Sequence, residues 1–185
     1  MEAGQSVIVL GSGLTGLLHI NLARILGAGR IIATDMVDYR LQAALQFGAD
    51  RTISATEDVP LKLREANDGR LADLVIVCTG ALPALHQALQ SVERGGTVLF
   101  FAPTQPGVDL PVSVNETFFR NDATLTTTYA ASPSNLVQSL ELIRAGGVKV
   151  EEMISHRLGL DDIGLGFKLT SEAQDSLKVI VEPQR

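Results

Sequence analysis

Cysteine is nearly absent from this sequence. The one present, Cys78, excludes a disulfide within the chain. Histidine is scarce too: His19, His86 and His156 lie far apart, without the short intervals at which zinc ligands recur, so no metal site is read here. No apolar run approaches the roughly 20 residues of a spanning helix, which argues against a membrane partner. The amino terminus lacks the basic, apolar and small-residue order of a secretion signal, and the expectation is a cytoplasmic protein. Basic residues are few and scattered, 15 Lys and Arg against 21 Asp and Glu for a net charge of −6, so the electrostatic footprint of a nucleic-acid partner is missing.

What is present is apolar and regularly spaced. With 185 residues, 45% of them hydrophobic, the chain can bury one core of ordinary size, and a single domain over 1–185 is expected. Short β-branched runs alternate with stretches of helical period, the pattern of a parallel sheet covered on both faces. Strands are expected at Ser6–Leu10, Arg30–Thr34, Arg51–Ser54, Asp73–Val77, Thr97–Phe101 and Thr124–Thr128. Helices are expected around Leu14–Leu26, Val37–Phe47, Leu61–Asn67, Leu82–Val92 and Phe118, with Gly27, Gly48 and Gly95 closing three of them. Right-handed crossovers between such strands give an α/β fold: a Rossmann-type, doubly wound parallel sheet of six strands in the order 3-2-1-4-5-6.

One stretch carries chemistry. In "VIVLGSGLTGLLHINLARILGAG", Gly11, Gly13 and Gly16 sit between the first strand and the first helix. A glycine-x-glycine-x-x-glycine pattern alone is a tight strand-to-helix turn as readily as a ligand site; its context points to a dinucleotide. Gly11 makes the turn, Gly13 lets the backbone approach a pyrophosphate, and Gly16 lets helix and strand pack closely. The amides of Leu14 and Thr15 would face the phosphates at the positive end of the helix dipole. The second strand, "RIIATD", ends in Asp35, 19 positions after Gly16, where a carboxylate can accept both adenosine ribose hydroxyls and repel a 2′-phosphate. That favours NAD. Arg40 either flanks the ribose or is a surface charge. A methyltransferase shares the glycine turn and the acidic strand end but suits the glycine spacing less well.

With "RLQAALQFGAD", "ADLVIVCTG", "ERGGTVLFFAP", "ISHRLGLDDIGLGFKL" and "LKVIVEP" following in order, the chain resembles the medium-chain zinc-type alcohol and polyol dehydrogenases, which include sorbitol and threonine dehydrogenases. The resemblance implies that Asp35 and Arg40 bind the adenosine ribose and that the Cys78-Thr79-Gly80 corner lies beside the coenzyme. It implies that the backbone at Phe101 and Ala102 meets the carboxamide, with Thr127 to Tyr129 on the other side, and that Lys178 pairs with the pyrophosphate. A separate amino-terminal domain supplies the catalytic zinc in that family, so zinc is expected only in a catalytic domain missing from this chain. The chain alone is expected to bind NAD(H) without turnover, the small alcohol or polyol substrate belonging to the intact enzyme.

No catalytic residue is assigned here. The Tyr-x-x-x-Lys pair of short-chain dehydrogenases has no counterpart, Tyr129 being followed by Ser132 and Pro133, and Tyr39 by Ala43. His86 is an acid or base, or simply an exposed helix histidine. Cys78 has no histidine beside it in sequence and reads as a small buried hydrophobe. The resemblance divides the chain into a core sheet, 1–129, and a return segment, 130–185. In that segment a helix like Asn135–Ala145 covers the sheet, while Met153–Leu158 and Leu177–Val181 lean on the missing domain and lack a partner. Family members pair through the sixth strand, so a homodimer or larger assembly is expected. The alternative is a stand-alone NAD(H)-binding sensor or subunit.

Overall fold

Strict alternation builds the centre of the fold. Every residue of β1 (Ser6–Leu10) is buried; Val7 and Val9 join the apolar cluster on one face of the sheet, Ile8 and Leu10 the cluster on the other. The computed structural model describes residues 1–184, so Arg185 of the expected return segment lies outside the described residues. β1 is joined by β2 (Arg30–Asp35), β3 (Arg51–Ser54), β4 (Ala72–Val77), β5 (Val92–Phe100) and β6 (Thr124–Thr127) in a parallel six-stranded sheet of order β3-β2-β1-β4-β5-β6. This is the expected order. Helices α1 (Leu14–Ile25) and α2 (Asp38–Gln46) supply Leu17, Ile20, Ala43 and Ala44 to one face. From the other side α3 (Val59–Ala66) and α4 (Leu82–Ser91) supply Val59, Leu63, Leu85 and Ala88. Because β1 lies between β2 and β4, the chain winds away in opposite directions from it, and a crevice opens beyond the carboxyl ends of β1 and β4.

Helix ends follow local chemistry, with one correction. Gly27 and Gly48, at φ +82° and +112°, follow α1 and α2 in the left-handed conformation that a Cβ disfavours. The carboxylate of Asp58 accepts the Leu61 amide at 3.1 Å, which starts α3 at Val59, before the expected Leu61. Gly95 does not close a helix. α4 ends at Ser91 and passes directly into β5, where Gly95 (φ +76°) sits in an irregular stretch beside a register shift and donates its amide to the Asn121 carbonyl at 2.8 Å. The expected helix around Phe118 is a π-helical segment, Val114–Arg120.

Two central strands are stapled at their amino ends. Asp73 Oδ2 accepts both the amide and the hydroxyl of Ser6 at 2.8 Å, while Arg70 donates to Oδ1 at 2.8 Å. Burial alone raises this carboxyl, but the Ser6 bonds and the Arg70 charge outweigh it and hold its pKa below the usual carboxylate value. A depressed folded-state pKa means stability present above the unfolded value and lost as pH falls through the folded one. Asp73→Ala is therefore expected to cost about 2 kcal/mol at neutral pH. Urea unfolding followed by circular dichroism should show that deficit shrinking as the pH is taken into the acid range.

The return segment departs from expectation. Helix α5 (Pro133–Arg144), expected to cover the sheet, has no buried residue, and Leu136 and Val137 are each 59% exposed. The segments expected to lack a partner pair with each other: β7 (Ile154–Gly159) and β8 (Lys178–Glu182) form a parallel two-stranded sheet, crossed over by α6 (Ile163–Glu172). Met153, which begins the first of these segments, is 1% exposed and joins the apolar cluster under α1, with Leu177 packed against the same cluster. Asn21 of α1 fixes the approach, its Nδ2 donating to the Phe47 carbonyl at 2.6 Å and its Oδ1 accepting the Lys149 amide at 3.2 Å. No helix of the described residues is long and apolar enough to cross a membrane.

Candidate functional site

The crevice is built from the glycine turn upward. The Gly11 amide bonds the Thr34 carbonyl at 3.0 Å, and the Cys78 amide bonds the Leu10 carbonyl at 2.8 Å, so the ends of β2, β1 and β4 are tied where the chain turns into α1. Gly11 has φ +95°, and a Cβ there would sit 3.3 Å from the Cys78 carbonyl. A Cβ on Gly16 would overlap the Gly11 carbonyl oxygen, which fixes helix against strand. Gly13 differs. A Cβ there would meet only the Arg40 guanidinium, 3.8 Å away, because this residue borders open space. As the N-cap of α1 it offers no side chain to the first-turn amides, and no acidic residue stands in that turn. The positive end of the helix is left for an anion from outside.

A residue without a sequence signal locks the turn. Ser12 is fully buried, its amide donating to Asp35 Oδ2 at 2.8 Å and its hydroxyl to the Thr34 carbonyl at 3.0 Å. Asp35 Oδ1 accepts the Val37 amide at 3.0 Å. Each carboxylate oxygen thus holds one backbone donor and keeps a further lone pair for a ligand. Arg40 Nη1 lies 4.0 Å from Asp35 Oδ2, and its buried Nε has no hydrogen-bond partner. An orphaned donor of this kind beside an acceptor-bearing carboxylate fits a ligand rich in hydroxyl and phosphate oxygens.

These groups line a cleft of about 360 Å³, in which Gly11, Gly13, Asp35, Arg40, Cys78 and Thr79 come together. Met36, Pro83, Ala84 and Gln87 complete its walls without having been foreseen; they come from the β2–α2 loop and from α4, where only apolar period was visible. Gly80 packs against the Pro103 carbonyl so closely that a Cβ would not fit. Phe101 and Ala102 border a second cavity of about 580 Å³, shared with Thr127, Thr128 and Tyr129. Both of their amides donate to the Val77 carbonyl at 3.0 Å, so what they can offer a carboxamide is carbonyl oxygen. Lys178 is exposed at the start of β8, and neither cavity takes a lining residue from that strand.

Cys78 does have a histidine beside it. The Sγ lies 3.5 Å from Nδ1 of His19, which is 59 residues away in sequence and therefore invisible to spacing. Burial pushes the thiol up to about 12, against a smaller opposing effect from the Thr15 hydroxyl, so at neutral pH it is a thiol and not a nucleophile. Among the described residues no three His, Cys, Asp or Glu side chains converge to hold a metal.

Comparison with known proteins bears on the same residues. Residues 15–145 match the family model described as zinc-binding dehydrogenase. An L-threonine 3-dehydrogenase of Bacillus velezensis is 34% identical over 184 residues, covering 98% of this chain and 52% of that protein. The alcohol dehydrogenase TADH of Thermus sp. ATN1 superposes with a TM-score of 0.85 at 30% identity, over 96% of this chain and 51% of its own. A Sinorhizobium meliloti structure bound to NADP shares the fold, with a TM-score of 0.87 at 24% identity over 98% of this chain and 53% of its own. The chain spans about half the length of the curated relatives it matches.

Proposed function

Since the chain belongs to the zinc-binding dehydrogenase family, we propose that it is the NAD(H)-binding unit of an alcohol or polyol dehydrogenase. One observation carries the reading: Gly11 and Gly13 of the glycine turn, the Asp35 carboxylate and Arg40 line one cleft at the strand crossover. In this reading the adenosine ribose hydroxyls donate to the free lone pairs of Asp35, with Arg40 flanking them. The pyrophosphate takes the uncapped Leu14 and Thr15 amides above Gly13, and Gly16 holds that helix end in place. Cys78, Thr79 and Gly80 form the corner beneath the dinucleotide, while the carbonyls at Phe101 and Ala102 orient the carboxamide. A bound nicotinamide would supply hydride transfer at its C4 to or from a small alcohol or polyol, and a zinc ion, if held by a separate catalytic domain, would supply a Lewis acid for the substrate oxygen. In this reading the residues of this chain bind and orient the coenzyme.

The cofactor preference follows from charge. A 2′-phosphate would stand against the Asp35 carboxylate, with Arg40 already beside it, so NAD is preferred over NADP. Residues 1–129 are the coenzyme-binding core and 130–185 the return unit; the exposed edge of β6, near Phe119 and Tyr129 at 82% and 99% exposure, is where a second copy pairs to give a homodimer. Calorimetric titration with NADH, NADPH and S-adenosylmethionine is the test. NADH is expected to bind at least about tenfold tighter than NADPH, the scale of one unfavourable buried charge contact. Binding of S-adenosylmethionine without NADH would overturn the reading.

A further inference from the structure

We infer that His19 discriminates between the oxidised and reduced dinucleotide in a proton-dependent way: its neutral imidazole tolerates the positively charged nicotinamide ring of NAD⁺, and its protonated form repels it. This rests on the coenzyme reading above and adds to it a residue and a means of regulation.

Placement comes first. His19 lies one helical turn after Thr15 on α1, with Nδ1 3.5 Å from Cys78 Sγ at the end of β4. Its ring meets Phe101 beyond β5 edge-on, with centroids 4.4 Å apart at 74°. Topology then says what belongs there. A dinucleotide with its adenosine at Asp35 on β2 and its pyrophosphate at the amino end of α1 must carry its second nucleoside across the crossover, to the β4 and β5 side. Cys78 and Phe101 mark those strand ends, and His19 touches both.

The tautomer is fixed by a neighbour. Nδ1 is 2.8 Å from the Thr15 carbonyl, which can only accept, so Nδ1 carries the proton of the neutral ring and Nε2 keeps the lone pair. A second proton must go to Nε2 and brings a full positive charge. The groups around the ring are Thr15, Leu18 and Leu22 from α1, Cys78 just beyond β4 and Phe101 just beyond β5. Cys78 is the one titratable side chain among them, and burial keeps it uncharged. No carboxylate takes part in the titration of His19. Burial lowers its pKa from the ordinary value, and the Thr15 carbonyl restores part of that. Burial thus favours the neutral ring and moves its protonation to the acid side of the ordinary histidine value.

The sign is set by linkage. The adenosine and pyrophosphate are common to NAD⁺ and NADH, so their effects cancel in the ratio of dissociation constants, leaving the ring charge. The ratio Kd(NAD⁺)/Kd(NADH) rises as pH falls through the His19 pKa and is flat above it; equivalently, NAD⁺ lowers that pKa more than NADH does. Repulsion between two unit charges near a protein surface is expected to change the ratio by roughly tenfold.

The experiment titrates the full chain with NAD⁺ and with NADH by calorimetry from about pH 8, above the ordinary histidine range, down to the lowest pH at which the chain stays folded. Wild type should show the climbing ratio, and His19→Gln and His19→Phe a flat one. Nuclear magnetic resonance of the imidazoles serves if the variants do not fold. NAD⁺ should move the His19 titration to lower pH, and NADH should move it less. A wild-type ratio independent of pH, a slope that survives in both variants, or a His19 titration equally affected by the two forms overturns the inference while leaving coenzyme binding intact. Failure of both forms to bind at any pH overturns the coenzyme reading, and this inference with it.

Discussion

Asp35→Asn is expected to collapse the preference for NADH over NADPH, weakening NADH by roughly 10- to 100-fold and leaving NADPH unchanged or improved, as loss of a charged acceptor for two hydroxyls requires. Asparagine is chosen because Asp35 has two duties. Its oxygens hold the amides of buried Ser12 and of Val37, so alanine would strand a donor and cost about 1–3 kcal/mol in folding before any ligand is added. Asparagine keeps one acceptor for the turn and removes the charge that a 2′-phosphate would face. Calorimetry with both coenzymes, beside a thermal melt of the free protein, separates the two duties. An unchanged preference in a folded variant would remove Asp35 from the ribose site.

The second large effect contrasts two glycines three residues apart in the same turn. Gly16→Ala places a methyl onto the backbone carbonyl of Gly11, whose amide is tied to Thr34 of β2 and whose neighbour Leu10 is tied to the Cys78 amide, so it cannot readily retreat. The cost is expected to exceed about 3 kcal/mol, the upper range for overpacking, and to appear as a lowered urea midpoint with or without ligand. Gly13→Ala should fold almost as well as wild type, since the added methyl meets only the end of Arg40 at 3.8 Å. It should nonetheless lose most of its NADH affinity, because the methyl occupies the approach to the α1 amides. Equal destabilisation by both substitutions would mean that Gly13 serves packing and not a ligand.

How much of this was legible depended on whether the determining contact was local. The strands of the core announce themselves because Val7, Ile8, Val9 and Leu10 must each enter one apolar cluster or the other, and the glycine turn and Asp35 sit at fixed intervals from them. The start of β5 was not legible: α4 runs into the strand without a break, and Gly95 serves an irregularity whose partner, the Asn121 carbonyl, is far off in sequence. Ser12 looked like a filler between glycines, yet it joins the turn to Asp35 through two bonds that only the folded sheet creates. His19 enters the sequence reading only as one of three scattered histidines, because its neighbours Cys78 and Phe101 stand just beyond the ends of two distant strands. The pairing of β7 with β8 was hidden for a related reason, since two short apolar runs name no partner until α6 brings them together.

The burial of Met153 sets an order of events in time. Chains emerge from synthesis amino end first, and this one presents Val7, Val9, Leu17 and Ile20 long before the residue that completes the same apolar cluster. Until Met153 and then Leu177 have been made, the face beneath α1 is an unfilled hollow, and the Asn21 carbonyl oxygen waits for the Lys149 amide. Met153 and Leu177 are therefore late-made pieces that fill an apolar cluster whose other members lie far ahead of them in the sequence.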